Sequence, residues 1–476
     1  MYSRRQETPI GGMNALGGVP PRSGRVGALV GAALLATAGF WSGAAAQQLT
    51  TLYSFTGSDG ANPSAGLIAD PAGNLYGTTA GGGASGQGTV FQLDPSGNPT
   101  VLYSFTGGDG SHPGGVLIAD AAGNLYGTTI SGGAQDAGTV FQLTPSGTLN
   151  VLYSFTGGSD GALPWAGMIA DTAGNLYGTT YGGGASGQGT VFQLDPSGTL
   201  TVLYSFTGGN DASPWSGLIA DAAGNLYGTT EGGDGPGEVF QLTPSGILNV
   251  LHNFTGRDGA IPHSGLIFDA AGNLYGTTHN GGTSGYGTVF QLDPSGTLTV
   301  LHSFTEGRDG AYPEAGVIAD MAGNLYGTTY GGGASGQGTV FQLDPSGTLN
   351  VLYSFTGGND ASPWAALIAD AAGNLYGTTE GGDGPGEVFQ LTPSGTLNVL
   401  HNFTGRDGAV PHGTLIFDAA GNLYGTTALG GANMSCPGGC GTVFELTVPA
   451  SFTGGLARRN MNTKALRQGV PRMGHK

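Results

Sequence analysis

The chain has 476 residues, of which 97 are Gly and 25 Pro, while only 9% are charged. That composition excludes the two or three ordinary domains its length suggests and describes many short strands joined by tight turns. Net charge is −18, and residues 47–450 hold 30 of the 31 acids but only Arg257, Arg308 and Arg406 among the 13 basic residues. So acidic a body repels nucleic acid and anionic headgroups, which makes both poor partners and excludes nucleic-acid binding.

Residues 1–46 read as a signal peptide. Arg22 and Arg25 precede an apolar run from Val26 to Trp41, and "GAAAQQ" offers a small-residue cleavage site after Ala46. The run falls short of the roughly 18–20 residues a spanning helix needs, so the mature chain is expected to carry no transmembrane segment. Export would place it in the periplasm, at the cell surface or outside the cell.

From residue 47 the sequence repeats. "AGNLYGTT" occurs eight times, its Asn at 74, 124, 175, 225, 273, 324, 374 and 422. The first cassette holds four strand-like segments: "TTLYSF" (50–55), "GLIAD" (66–70), "NLYGTT" (74–79) and "GTVFQL" (88–93). They are rich in Val, Ile, Tyr, Phe and Thr and bounded by Gly, Pro, Asn and Asp, as strands are. Four short strands in about fifty residues make one propeller blade. The expected fold is all-β, an eight-bladed β-propeller of four-stranded blades over 47–450, followed by a basic disordered tail over 451–476.

The turns sort by type. "DPAGN" and "DPSG" are compact hairpin turns, whereas "TGSDGANPSAG" and "TAGGGASGQG" are longer and vary between cassettes. In a four-stranded meander alternate connections share an end, so both variable loops fall on one face, where a binding site belongs. If "GLIAD" is the inner strand, the eighth blade lacks an outer one. The unpaired "TTLYSF" at 50–55 would supply it and close the ring, leaving no open sheet edge.

The units "GLIADAAGNLYGTT" and "GTVFQLDPSGTL" resemble the GloVer tandem-repeat family of exported bacterial proteins, over residues 49 to 446. The resemblance implies an exported repeat protein and brings no catalytic residues to carry over. The family's members carry varying carboxy-terminal anchors, but after Leu446 there is only the basic tail. More loosely, "GLIADAAGNLYG" looks like the blades of NHL-type propellers and of streptogramin lyase.

Asp70 and its equivalents at 120, 171, 221, 269, 320, 370 and 418 open a "D-x-A-G-N" turn and are expected to bond turn amides. A second acidic set (Asp59, Asp109, Asp160, Asp211, Asp258, Asp309, Asp360, Asp407) lies in the variable loops. No cofactor is expected. Calcium, with its six to eight oxygens, would be sought first in the "EGGDGPGE" loops, at Glu231, Asp234 and Glu238 or Glu380, Asp383 and Glu387. The histidines show no metal-binding spacing, and His252, His302 and His401 read as packing variants of the outer-strand Tyr. Cys436 and Cys440 are expected to form a local disulfide. No nucleophile elbow, zinc-protease motif or phosphate loop is present.

One position stands apart. Immediately after the loop proline the cassettes carry Ser64, Gly114, Trp165, Trp215, His263, Glu314, Trp364 and His412. Just past "NLYGTT" is a second variable set that includes Tyr181, Glu231, His279, Tyr330 and Glu380. These side chains should ring the channel mouth, where the three Trp either cap the core between blades or form an aromatic platform. A platform flanked by carboxylates suits neutral or cationic ligands, including sugars. The expected function is a non-catalytic, monomeric binding or envelope-associated module with a glycan or envelope component as partner. The alternative is a propeller lyase or glycan-active enzyme using His263, Glu314 or His412 as acid or base. Finally, residues 212–246 recur almost unchanged at 361–395, an offset of 149 that marks duplication of a block of three cassettes.

Overall fold

The third strand of each blade is the most apolar and the most enclosed. In the first blade it is Thr89–Leu93, and Thr89, Val90, Phe91 and Leu93 are all at most 1% exposed. Burial on both faces requires a partner strand on either side and a second sheet stacked above and below. The second strand, Leu75–Thr79, pairs with it antiparallel and sets Gly77 opposite Phe91. Only Gly fits there, because a Cβ would lie 2.6 Å from Phe91 Cζ. The outer strand, Pro99–Ser104, pairs on the other side, with an irregularity opposite Val90 and Phe91.

The structure is a computed structural model that describes residues 48–448, and no helix occurs among them. All eight sheets repeat one strand order from inner to outer, so the protein is an eight-bladed β-propeller as the repeats predict. The second blade adds a short strand, Ser111–Pro113, beside its second strand. The inner strand is shorter than "GLIAD", pairing only at Ile68–Ala69. The residues before it run instead against the same segment of the next blade. A Cβ on Gly115 would meet Gly167 N at 2.9 Å, and one on Gly413 would meet Ala65 O at 3.0 Å. These segments form the innermost ring of the molecule.

Eight apolar clusters fill the spaces between neighbouring blades. Between the first and second lie Val90, Phe105, Leu117, Leu125 and Phe141. The eighth cluster joins the last blade to the first through Phe55, Leu67, Leu75, Phe91 and Val443. An open arc of eight blades has one junction fewer than it has blades, so the eighth junction means that the ring is closed. Gln48–Ser54 completes it, pairing antiparallel with Thr442–Thr447 as the outer strand of the last blade. Hydroxyls reinforce the junctions: Thr277 Oγ1 donates to Ala315 O at 3.1 Å, and Thr426 Oγ1 to Ala65 O at 3.3 Å.

Cys436 and Cys440 are disulfide-bonded, as expected, and Cys440 is fully buried in the closing junction. Their loop holds the incoming first strand. Ala432 N donates to Ser54 Oγ at 2.8 Å, Phe55 N to Gly441 O at 3.0 Å, and Ser435 Oγ to Thr56 O. The expected signal peptide and basic tail lie outside the described residues. Among the described residues no helix is long and apolar enough to cross a membrane.

Candidate functional site

The eight turn aspartates are structural. Asp70 Oδ1 accepts from the amides of Ala72 and Asn74, both at 2.9 Å, while Oδ2 accepts from Asn74 Nδ2 at 2.7 Å and Tyr76 OH at 3.1 Å. Burial alone would raise the Asp70 pKa, but these donors outweigh it and hold it below the usual carboxylate value. The second acidic set is equally committed. Asp160 Oδ2 takes the Tyr153 hydroxyl at 3.0 Å and the Thr156 amide at 2.8 Å. His252, His302 and His401 are more than packing variants. Each keeps the missing Tyr's bond, its Nε2 lying 2.9–3.0 Å from Asp258, Asp309 or Asp407.

The calcium candidates disperse. Glu231 turns to the channel mouth, Asp234 is exposed, and Glu238 is buried at 1% exposure. Glu238 stands where other blades carry Thr, and burial, followed by the charge of Asp211, pushes its carboxyl up to about 8. Glu387 repeats this against Asp360. Sequence reading took these two as surface ligands because nothing in "GPGE" signals that the chain turns inward there.

The position after the loop proline is set by a strained backbone. The residue before the proline has φ between +55° and +58° in all eight blades, including β-branched Ile261 and Val410. That left-handed conformation costs such residues on the order of 1–3 kcal/mol and persists only where the surroundings over-determine it. Here they do: Ile261 N donates to Pro236 O at 2.8 Å and Ile261 O accepts from His279 N at 2.9 Å. One stitch therefore fixes both variable positions of a blade beside those of its neighbour.

The result is an arc of rings across the third to eighth blades. Trp165 and Trp215 stack with centroids 5.1 Å apart, and Tyr181 meets Trp215 edge-on at 5.6 Å. Trp215 is followed by His263 at 5.8 Å, His263 by His279 at 5.1 Å, and His279 by Tyr312 at 5.1 Å. Beyond them Tyr330 meets Trp364 edge-on at 5.9 Å, and Trp364 stacks on His412 at 5.8 Å. A cavity of about 680 Å³ is lined in part by Tyr312, Tyr330 and Ser362. Trp165, Trp215 and Trp364 are 39%, 37% and 42% exposed, so they do not cap the core. Ser64 and Gly114 leave the first two blades without a ring.

Carboxylates flank the arc. His263 Nε2 lies 2.8 Å from Glu231 and its Nδ1 3.4 Å from Glu314 Oε2, while His279 Nδ1 lies 3.0 Å from Glu314 Oε1. His412 Nε2 pairs with Glu380 at 2.6 Å. Burial pushes the His263 pKa down, but Glu231 and Glu314 together outweigh it and hold it at about 9. Glu314 shows the converse, with His263 and His279 overcoming burial to bring it to about 2. The histidines show no metal-ligand spacing along the chain, yet the fold gathers some of them. His263, His279 and Glu314 bring three ligand atoms within 4.8 Å of one another. Their wide sequence separation concealed it. Tyr312 also escaped sequence reading: it occupies the strained position before the proline, which varies as much as the one after it.

Fold and site define an eight-bladed repeat propeller with an aromatic, ion-paired channel mouth. The chain belongs to the Gloeobacter/Verrucomicrobia repeat family, whose repeat matches residues 40–236, 166–384 and 361–458. A search of curated proteins finds no match. Among solved structures the chain is similar to a puromycin hydrolase variant, at 15% identity and a TM-score of 0.48, covering 78% of this chain and 59% of that one. It is also similar to a gluconolactonase from Xanthomonas campestris, at 17% identity and a TM-score of 0.34, covering 59% and 86%. Likeness at this level carries no activity across.

Proposed function

We propose that this is an exported, monomeric, non-catalytic binding module that takes a carbohydrate over the aromatic arc, as part of or beside the cell envelope. The observation that carries this reading is the stacked pair Trp165–Trp215, exposed at the mouth and continued by His263. Large rigid rings lose little conformational freedom on binding, and their electron-rich faces attract the C–H face of a neutral sugar or a cation. Glu231, Glu314 and Glu380 supply acceptors for hydroxyl groups at the same rim. The enzymatic alternative needs an acid or base poised near neutral pH. His263 at about 9 and Glu314 at about 2 are displaced away from neutrality, toward a standing ion pair.

Titration with neutral oligosaccharides of several linkages, followed by Trp fluorescence, tests the reading. Saturable quenching or a blue shift that is lost in Trp215→Ala supports it. No response to any glycan on an array, or binding untouched by Trp215→Ala, sinks it.

A further inference from the structure

We propose that His263, His279 and Glu314 bind one divalent first-row transition ion of zinc's chemical class. Zinc holds imidazole nitrogen and carboxylate oxygen at about 2.0–2.2 Å, which sets tetrahedral ligand atoms about 3.3–3.6 Å apart. Glu314 already bridges the two rings with its two oxygens, Oε2 lying 3.4 Å from His263 Nδ1 and Oε1 3.0 Å from His279 Nδ1. One ligand atom from each of the three residues lies within 4.8 Å of the other two, so the side chains would draw together around an ion. His279 Nδ1 is enclosed, and its 3.0 Å contact with Glu314 Oε1 lacks hydrogen-bond alignment.

The support for the ligands follows the pattern of metal sites. Histidine ligands usually give their other ring N–H to a carboxylate, which fixes the tautomer and strengthens the ligand nitrogen. His263 does so through Nε2 to Glu231 at 2.8 Å. Binding the ion releases the second ring proton of His263 to solvent, after which two neutral imidazoles, the Glu231 and Glu314 carboxylates and a dication sum to zero charge. Two nitrogens and one oxygen suit zinc, nickel or iron, and not calcium. Positions left open on the ion would face the mouth, at the end of the Trp stack.

The duplicated block supplies an internal comparison. Six mouth positions of the third to fifth blades recur 149 residues on, in the sixth to eighth. Four are kept: Tyr181 as Tyr330, Trp215 as Trp364, Glu231 as Glu380, and His263 as His412. Two differ, with Trp165 answered by Glu314 and His279 by Ala428. Those two differences bring Glu314 and His279 together beside His263, while His412 keeps its carboxylate but gains no further ligand. Among the described residues no second group of three assembles.

The test uses metal alone and so is independent of whether a sugar binds. Chelator-stripped protein is titrated calorimetrically with Zn²⁺, and Co²⁺ is added separately to read its visible absorption. One ion per chain is expected, with visible bands of a four- or five-coordinate site. His279→Ala and Glu314→Trp, each copying the residue native to the equivalent blade and so expected to fold, should weaken binding at least 100-fold. Glu231→Gln should weaken it about 10–100-fold, and His412→Ala should leave it unchanged. Zero stoichiometry overturns the proposal, as does binding that survives both His279→Ala and Glu314→Trp.

Discussion

The indole of Trp165 lies over that of Trp215, with centroids 5.1 Å apart and planes 21° from parallel, although the two belong to adjacent blades. Equivalent positions of neighbouring blades are thus one ring-stacking distance apart around the mouth. An aromatic side chain repeated at this position forms a continuous surface, and any other residue there interrupts it.

Trp165→Ala and Trp215→Ala should weaken sugar binding by about 1–3 kcal/mol, as the loss of an aromatic anchor does. Because both rings are over a third exposed, the fold should lose only about 1–2 kcal/mol, well under the 3–5 kcal/mol typical of a buried aromatic. A denaturant melt run beside a binding titration separates the two effects. Trp364→Ala, in the second run of rings, should show whether one run or both hold the ligand.

Phe55 follows the closing strand, is 1% exposed and meets Phe91 edge-on at 5.1 Å. Phe55→Ala should cost about 3–5 kcal/mol through cavity formation. Deleting residues 48–57 removes the whole outer strand of the last blade and should lower Tm further and promote aggregation through the bared edge of Thr442–Thr447. An unchanged melting curve after that deletion would contradict the closed ring.

Glu238 and Glu387 predict a pH dependence. Each has a folded-state pKa of about 8, above the ordinary value of 4.5, so each stabilises most fully below about pH 4.5. That contribution is lost as pH rises to about 8. Turn aspartates such as Asp70 act oppositely, their lowered pKa making them lose stability as pH falls through the folded value. Stability should therefore peak on the acid side of neutrality. Glu238→Gln and Glu387→Gln should raise Tm at pH 9 and change it little at pH 5. Equal effects at both pH values would refute the assignment.

Cys436 and Cys440 close a loop of only a few residues, for which chain entropy allows about 2 kcal/mol. Reduction, or replacement of both by Ser, should lower stability by no more than that. A greater loss would show that the loop's grip on Ser54 and Thr56, and not the cross-link entropy, is what the bridge maintains.

The fold was legible because the determinants are local and repeated eightfold: strand composition, turn residues and period all agree. Even the closing strand could be read, from a count of unpaired segments. The mouth was half legible. Position alone located Trp165, Trp215 and Trp364, since a variable residue beside an invariant proline shows up against so regular a background. The meeting of His263, His279 and Glu314 was not, because it depends on which side chains of two adjacent blades turn toward each other. Nor was the burial of Glu238, where a loop two residues shorter than its neighbours draws a carboxylate in place of Thr.

The pairing of Gln48–Ser54 with Thr442–Thr447 also fixes an order of events. Strands within a blade, such as Leu75–Thr79 and Thr89–Leu93, find each other across a short hairpin as soon as both leave the ribosome. The first strand must wait for the last, and joining segments so far apart adds about 3 kcal/mol of closure entropy. During synthesis the growing arc therefore keeps two raw edges and a stranded Phe55. A chain cut short anywhere before Thr442 would keep them for good. Closure is a contact that only a chain reaching Thr447 can make, and it allows chains that stop short of it to be told from those that do not by the edge they expose.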